Sequence, residues 1–192
     1  MPLYSNQHDQ TLGMTWGNIA GRWSRRQYSS TASLMTSNTL RMMTHPIYAP
    51  ITLDALGLEI TTVGSVGSLI RLGVYRCSDT TGVPATLMQD LGTISGEAGT
   101  GVTTVTSIGL RLDPGLYAWG AVSQNAPATH PTVREVASGV SPASPATGAA
   151  SSDLFGSLSW GWNLAAVSGA LAASIAPSPG DRIPVFTWKW AA

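Results

Sequence analysis

Charge is scarce in this sequence. Charged side chains make up 10% of its 192 residues, against roughly 25% in an average soluble domain. Ten Lys and Arg cancel ten Asp and Glu, leaving a net charge of zero. Such a chain does not hold copies of itself apart by repulsion. The composition therefore suits a subunit that buries surface against neighbours better than a solitary enzyme. Lysine is almost missing, with Lys189 alone, and the nearest thing to a basic patch is Arg22, Arg25 and Arg26. Phosphate backbones need concentrated Lys and Arg, so nucleic acid is not an expected partner. Cys77 has no second cysteine to pair with, and its place in RLGVYRCSD reads as a small buried hydrophobe in a strand. No stretch approaches the roughly 18 apolar residues of a membrane span. Residues 164–175 (LAAVSGALAASI) are too short and too broken by Ser and Gly. No charged-then-apolar leader pattern marks a signal peptide. Phosphate-loop and Gly-x-Ser-x-Gly patterns are missing as well.

What the chain does have is alternation. Leu56, Leu58 and Ile60 alternate with Gly57, Glu59 and Thr61 in 53–63, and Ile70, Leu72 and Val74 do the same in 69–77. Period two with one apolar face is the mark of a half-buried strand. Turn clusters punctuate these runs: GSVG at 64–67, SDTTGVP at 78–84, a glycine-rich link at 96–101 and Asp113-Pro114-Gly115. Proline fixes φ there and glycine accepts positive φ. Residues 87–94 predict a further strand, and 102–122 predict a hairpin folded at Asp113-Pro114-Gly115. In 183–190 (IPVFTWKW) Phe186, Trp188 and Trp190 share one face while Val185, Thr187 and Lys189 share the other. This strand is expected to complete the sheet. Strands at intervals of about 8–12 residues predict an all-β fold, a jelly-roll-like antiparallel β-sandwich.

Two stretches break the pattern. Residues 1–45 are polar, rich in Ser, Thr, Asn and Gln, and hold scattered aromatics. They are read as an extended N-terminal arm, with 46–192 as the sandwich. Such a stretch buries too little apolar surface to fold alone, so Trp16, Trp23, Arg25, Arg26 and Tyr28 become its candidate anchoring residues. Residues 123–152 are rich in Pro, Ala, Ser and Gly and read as one long loop. A small-residue helix over 164–175 is weakened by Ser168-Gly169.

Chemistry is hard to find. Asp79, Asp113 and Asp181 lie in SDTTG, DPG and SPGDR, where turn formation accounts for them. His8, His45 and His130 are far apart in sequence, and the last two directly precede proline, which points to extended loops. A metal site wants such ligands clustered, so no metal or cofactor is expected, and no catalytic residue either. Seven tryptophans are the remaining oddity. Trp160 with Trp162, and Trp188 with Trp190, are two apart and share strand faces. These four are the candidates for a glycan-stacking platform or a subunit interface, with core packing as the competing reading.

The run PITLDALGLEITTVGSVGSLIRLGVYRCSDTTGVPATLMQDLGTISG, followed by LRLDPGLYAWGAV, resembles a β-sandwich domain recurrent in tail-fibre and minor tail proteins of tailed bacteriophages, especially those of actinobacteria. The resemblance covers about 46–124. It implies a non-enzymatic virion structural protein with a jelly-roll-like sandwich, located in the virion and assembled in the host cytoplasm. Its implied partners are itself, as a homotrimer, and other virion proteins; a host surface glycan is the alternative. The chain is short and has no coiled-coil or collagen-like shaft. That favours a small component, such as a capsid decoration, head fibre or minor tail protein, held by its 1–45 arm.

Overall fold

The computed structural model describes residues 23–25, 31–137, 161–180 and 182–192. These form an all-β fold of two antiparallel sheets, with no helix among them. The first sheet contains β1 (Trp23–Arg25), β2 (Thr31–Leu34), β4 (Ile51–Thr62), β7 (Gly101–Val105), β8 (Leu110–Leu112), β10 (Thr132–Ala137), β13 (Arg182–Pro184) and β14 (Phe186–Trp190). The second runs in the order β12 (Ser178–Gly180), β11 (Gly161–Leu164), β3 (Leu40–Ile47), β9 (Gly115–Gln124), β5 (Leu69–Cys77) and β6 (Pro84–Ser95).

The alternating strands behave as their period dictates. Leu56, Leu58 and Ile60 of β4 and Ile70, Leu72 and Val74 of β5 turn inward to a shared core. Tyr117 and Trp119 of β9 and Phe186, Trp188 and Trp190 of β14 join them there. The chain changes sheet at β2–β3, β3–β4, β4–β5, β6–β7, β8–β9, β9–β10, β10–β11 and β12–β13, while β5 and β6 form a hairpin in one sheet. Those crossings make the sandwich jelly-roll-like.

Several sequence expectations change. The border at 45/46 cuts through β3, which pairs with both β9 and β11 in the middle of the second sheet. Thr31–Leu34 and Trp23–Arg25 also pair, with β10 and β14. The sandwich therefore takes in chain that a polar composition assigned to an arm: Ser and Thr fit a strand whose neighbours supply the apolar surface. Within the expected 123–152 loop, Thr132–Ala137 is a strand bonded to β2, β4 and β13. The 102–122 hairpin does not form either. β8 pairs with β4 and β9 with β3 and β5, so Asp113-Pro114-Gly115 carries the chain from one sheet to the other.

Residues 165–177 are not a helix but an irregular strap across the outer face of the second sheet. Leu40, Met42, Tyr75, Cys77, Ala118 and Val122 are buried beneath it, with Leu171 as its plug. Leu171 seats over Gly73, where an added Cβ would lie 2.1 Å from the Leu171 Cδ1. This second layer explains β9, whose LYAWGAV is apolar almost throughout because both faces are covered.

Candidate contact surface at one end of the sandwich

At one end of the sandwich the loops 62–68, 95–101 and 124–131 meet, beside the end of β2. Backbone bonds join them, with the Ser65 hydroxyl and the Glu97 carboxylate adding side-chain bonds. The amide of Gly64 donates to the Gly96 carbonyl at 2.8 Å, Ser65 to Thr129 at 2.8 Å and Gly96 to Ser68 at 2.8 Å, while Met35 reaches the Pro131 carbonyl at 3.0 Å. Gly67 turns the chain at φ +86°, and its amide donates to the Glu97 carboxylate at 2.7 Å. Ser68 and Pro131 pack against Gly64 and Gly96 so closely that a Cβ at Gly64 would sit 2.4 Å from Ser68 Oγ. Three loops tied in this way act as one stiff surface. It presents apolar groups to solvent: Val66 is 85% exposed, with Val63 and Leu34 beside it.

Below this end the two sheets are joined by a buried ion pair. Arg41 of β3 donates through Nη1 to the Glu135 carboxylate of β10, and through Nη2 to Thr36 Oγ1 at 2.8 Å. Both side chains are almost wholly buried. A buried pair contributes little net stability, but removing one partner strands a charge and costs about 3–5 kcal/mol. The pair links β3 of one sheet to β10 of the other. Ser123 Oγ and His130 Nδ1, 2.7 Å apart, extend the polar layer toward the loops.

Among the described residues, the other basic side chains are also answered within the chain. Arg71 grips Asp90, Arg134 grips Glu59, and Lys189 lies 3.1 Å from Asp54. Arg76 faces Asp79, Arg111 faces Asp113, and Arg182 donates to Ser33 Oγ. Burial raises the Asp90 carboxyl, but the amides of Leu171 and Gly92 and the Arg71 guanidinium outweigh it and hold the group below the ordinary carboxylate range. Burial pushes the Cys77 thiol up to about 12, so little thiolate exists at neutral pH and the sulfur is a poor nucleophile. Burial likewise takes Tyr75 up to about 12. No group of three or more His, Cys, Asp or Glu is arranged for a metal among the described residues. No described helix is long and apolar enough to cross a membrane.

The sequence candidates are dispersed by this architecture. Trp188 and Trp190 are core residues, 2% and 0% exposed, and have no ring face to offer a glycan or a subunit. They surround His45, whose ring lies 4.7 Å from Trp188, 5.3 Å from Trp119 and 6.1 Å from Trp190. His45, expected in an extended loop before proline, is thus a buried strand residue; Pro46 is accommodated within β3 beside it. Trp162 is half-buried and packs under the strap. Trp16, Arg26, Tyr28 and Trp160 lie outside the described residues. Trp23 and Arg25 are placed only as backbone of β1, opposite Lys189 and Thr187. The loop end itself was missed in the sequence, although Gly64, Gly67 and Gly96 signalled its turns.

No protein-family model matches the chain, and no curated protein matches it. Two solved structures are similar in fold. One is the cysteine protease and lectin-like domains of Cwp84, a surface layer associated protein of Clostridium difficile, at 14% identity and a TM-score of 0.48 over 85% of this chain and 36% of that one. The other is a clostridial Cwp84 cysteine protease after propeptide cleavage, at 14% identity and a TM-score of 0.49 over 87% of this chain and 40% of that one. This chain thus spans less than half the length of either, and the likeness concerns fold only.

Proposed function

We propose that this chain is a non-enzymatic structural module of a bacteriophage particle, of the minor tail or capsid decoration kind, which meets its neighbours through neutral surface. The observation that carries this reading is the loop end: three connections made into one stiff surface that exposes Val63 and Val66 and spends its polar groups on holding itself together. The virion setting rests on the order of strands and turns in 46–124, from the IRLGVY strand to the DPGLY turn. The charge pairing supports the same mode. With the described Arg and Lys side chains engaged inside the chain, recognition falls to apolar and hydrogen-bonding surface, where shape rather than long-range attraction selects the partner. A glycan platform loses Trp188 and Trp190, and Tyr48 is the one strongly exposed ring among the described residues.

Quantitative mass spectrometry of purified particles is the test. The chain is expected at a fixed copy number. Val66→Asp, at an exposed position, is expected to preserve the circular-dichroism spectrum and lower that number severalfold. A second variant removing residues 1–22, ahead of β1, asks whether the amino-terminal residues anchor the chain. Absence of the wild-type chain from particles would refute the reading, and full incorporation of Val66→Asp would remove the loop end from it.

A further inference from the structure

The two sheets end differently. β7 pairs with β4 from Ile60↔Gly101 to Leu56↔Val105, and no described strand pairs with its other side. In an antiparallel ribbon alternate residues turn their N–H and C=O groups away from the partner, so β7 presents a row of open backbone groups. Natural edge strands are usually blunted by charge, proline, a bulge or a cover. Among the described residues β7 has no such device. From Ala98 to Leu110 the chain carries no ionisable residue and no proline, and every residue from Val102 to Thr106 is β-branched. Val102 is 57% exposed. β6, at the edge of the second sheet, is managed instead. It carries Asp90, bulges near Gly92 at φ +77°, and is partly occupied by the strap through Leu87 N to Ala173 O at 2.9 Å and Ile175 N to Ala85 O at 2.9 Å.

We propose that β7 is a self-association seam: a second copy of this chain lays its own β7 antiparallel alongside, continuing the first sheet across a two-fold axis. The occupant follows from the strand. Two-fold pairing sets a segment against its own reverse, which is unfavourable where like charges meet. The Gly-Val-Thr-Thr-Val-Thr segment has none, and Val and Thr make favourable cross-strand pairs. The zero net charge of the chain removes long-range repulsion between copies. The template is also firm. A Cβ at Gly57 would lie 2.3 Å from the Thr103 carbonyl oxygen, so β7 is held hard against β4. This seam gives the assembly reading a specific homotypic contact, yet it stands on β7 alone.

Sedimentation of the full chain over a concentration series, with hydrogen exchange at each concentration, tests the seam. The expected result is a mass of two chains, with the amides of Gly101–Val105 gaining protection as concentration rises. Val102→Lys places two cations across the axis and is expected to weaken the dimer tenfold or more, while Met88→Lys on β6 leaves it unchanged. A single-chain mass at every concentration would overturn the seam, as would a dimer indifferent to Val102→Lys or one lost with Met88→Lys instead. A trimer indifferent to Val102→Lys would also overturn it while leaving the assembly reading intact. The wild-type exchange pattern decides even if Val102→Lys is poorly folded.

Discussion

The core between the sheets and the layer beneath the strap are both buried, but they are closed by different means. Between the sheets, large rings from distant strands fill the space: Trp119, Trp188, Trp190, Tyr117 and Phe186 are all buried there. Outside the second sheet, a strap of mostly small residues contributes Leu171, with Val167 and Ile175 partly buried beside it, and polar bonds hold it down. Gln124 Nε2 donates to the Val167 and Gly169 carbonyls at 3.2 and 2.9 Å, Tyr75 Oη to the Ala172 carbonyl at 3.2 Å, and the Leu171 amide to Asp90 at 3.0 Å. Area decides stability in the first region. Bonding geometry decides it in the second, and a cover of that kind opens locally before the whole molecule unfolds.

The difference is broken most strongly from the inside. Trp119→Ala empties the centre of the core and is expected to cost about 3–5 kcal/mol, seen as loss of the whole unfolding transition at mild denaturant. Leu171→Ala is expected to cost about 2 kcal/mol, the lower end for a buried leucine, because the strap can settle into the gap. Its effect should be local, with faster exchange in 165–177 and faster thiol labelling of Cys77 while the exchange of β4 is unchanged. Equal acceleration in β4 would show that strap and core are one cooperative unit. Gly73→Ala attacks the same contact from the sheet side. The new methyl group displaces Leu171 and is expected to cost about 1–2 kcal/mol, again confined to the strap.

The smallest effect is electrostatic. The Asp90 carboxyl is held below its unfolded value, so its contribution to strap docking is complete above about pH 4. It fades as pH falls through the folded value. Exchange in 165–177 should therefore quicken, after correction for intrinsic rates, as pH falls below about 4, and Asp90→Asn should flatten that dependence. An unchanged profile in the variant would remove Asp90 as the clasp.

Much of the strand content was legible because period two is a local signal. Leu56, Leu58 and Ile60, or Ile70, Leu72 and Val74, declare a buried face without reference to any other segment. The contact surface was not legible in that way. Val66 lies in an ordinary-looking GSVG turn, and only the bonds to Gly96 and Thr129 make that turn part of a platform. Polar β2 and β10 were likewise hidden, since their strand character comes from partners and not from their own apolar pattern.

By itself the sequence determined the all-β class, the inward faces of the main strands, the isolation of Cys77 and the charge balance, because each depends on residues close together or on simple counts. Tertiary structure alone decided which strands share a sheet, why Asp113-Pro114-Gly115 is a crossing and not a hairpin, and how Arg41 finds Glu135 across 94 positions. It also turned Trp188 and Trp190 into core. Alternation tells a side chain to leave water, but what it meets there depends on packing between segments far apart in the chain.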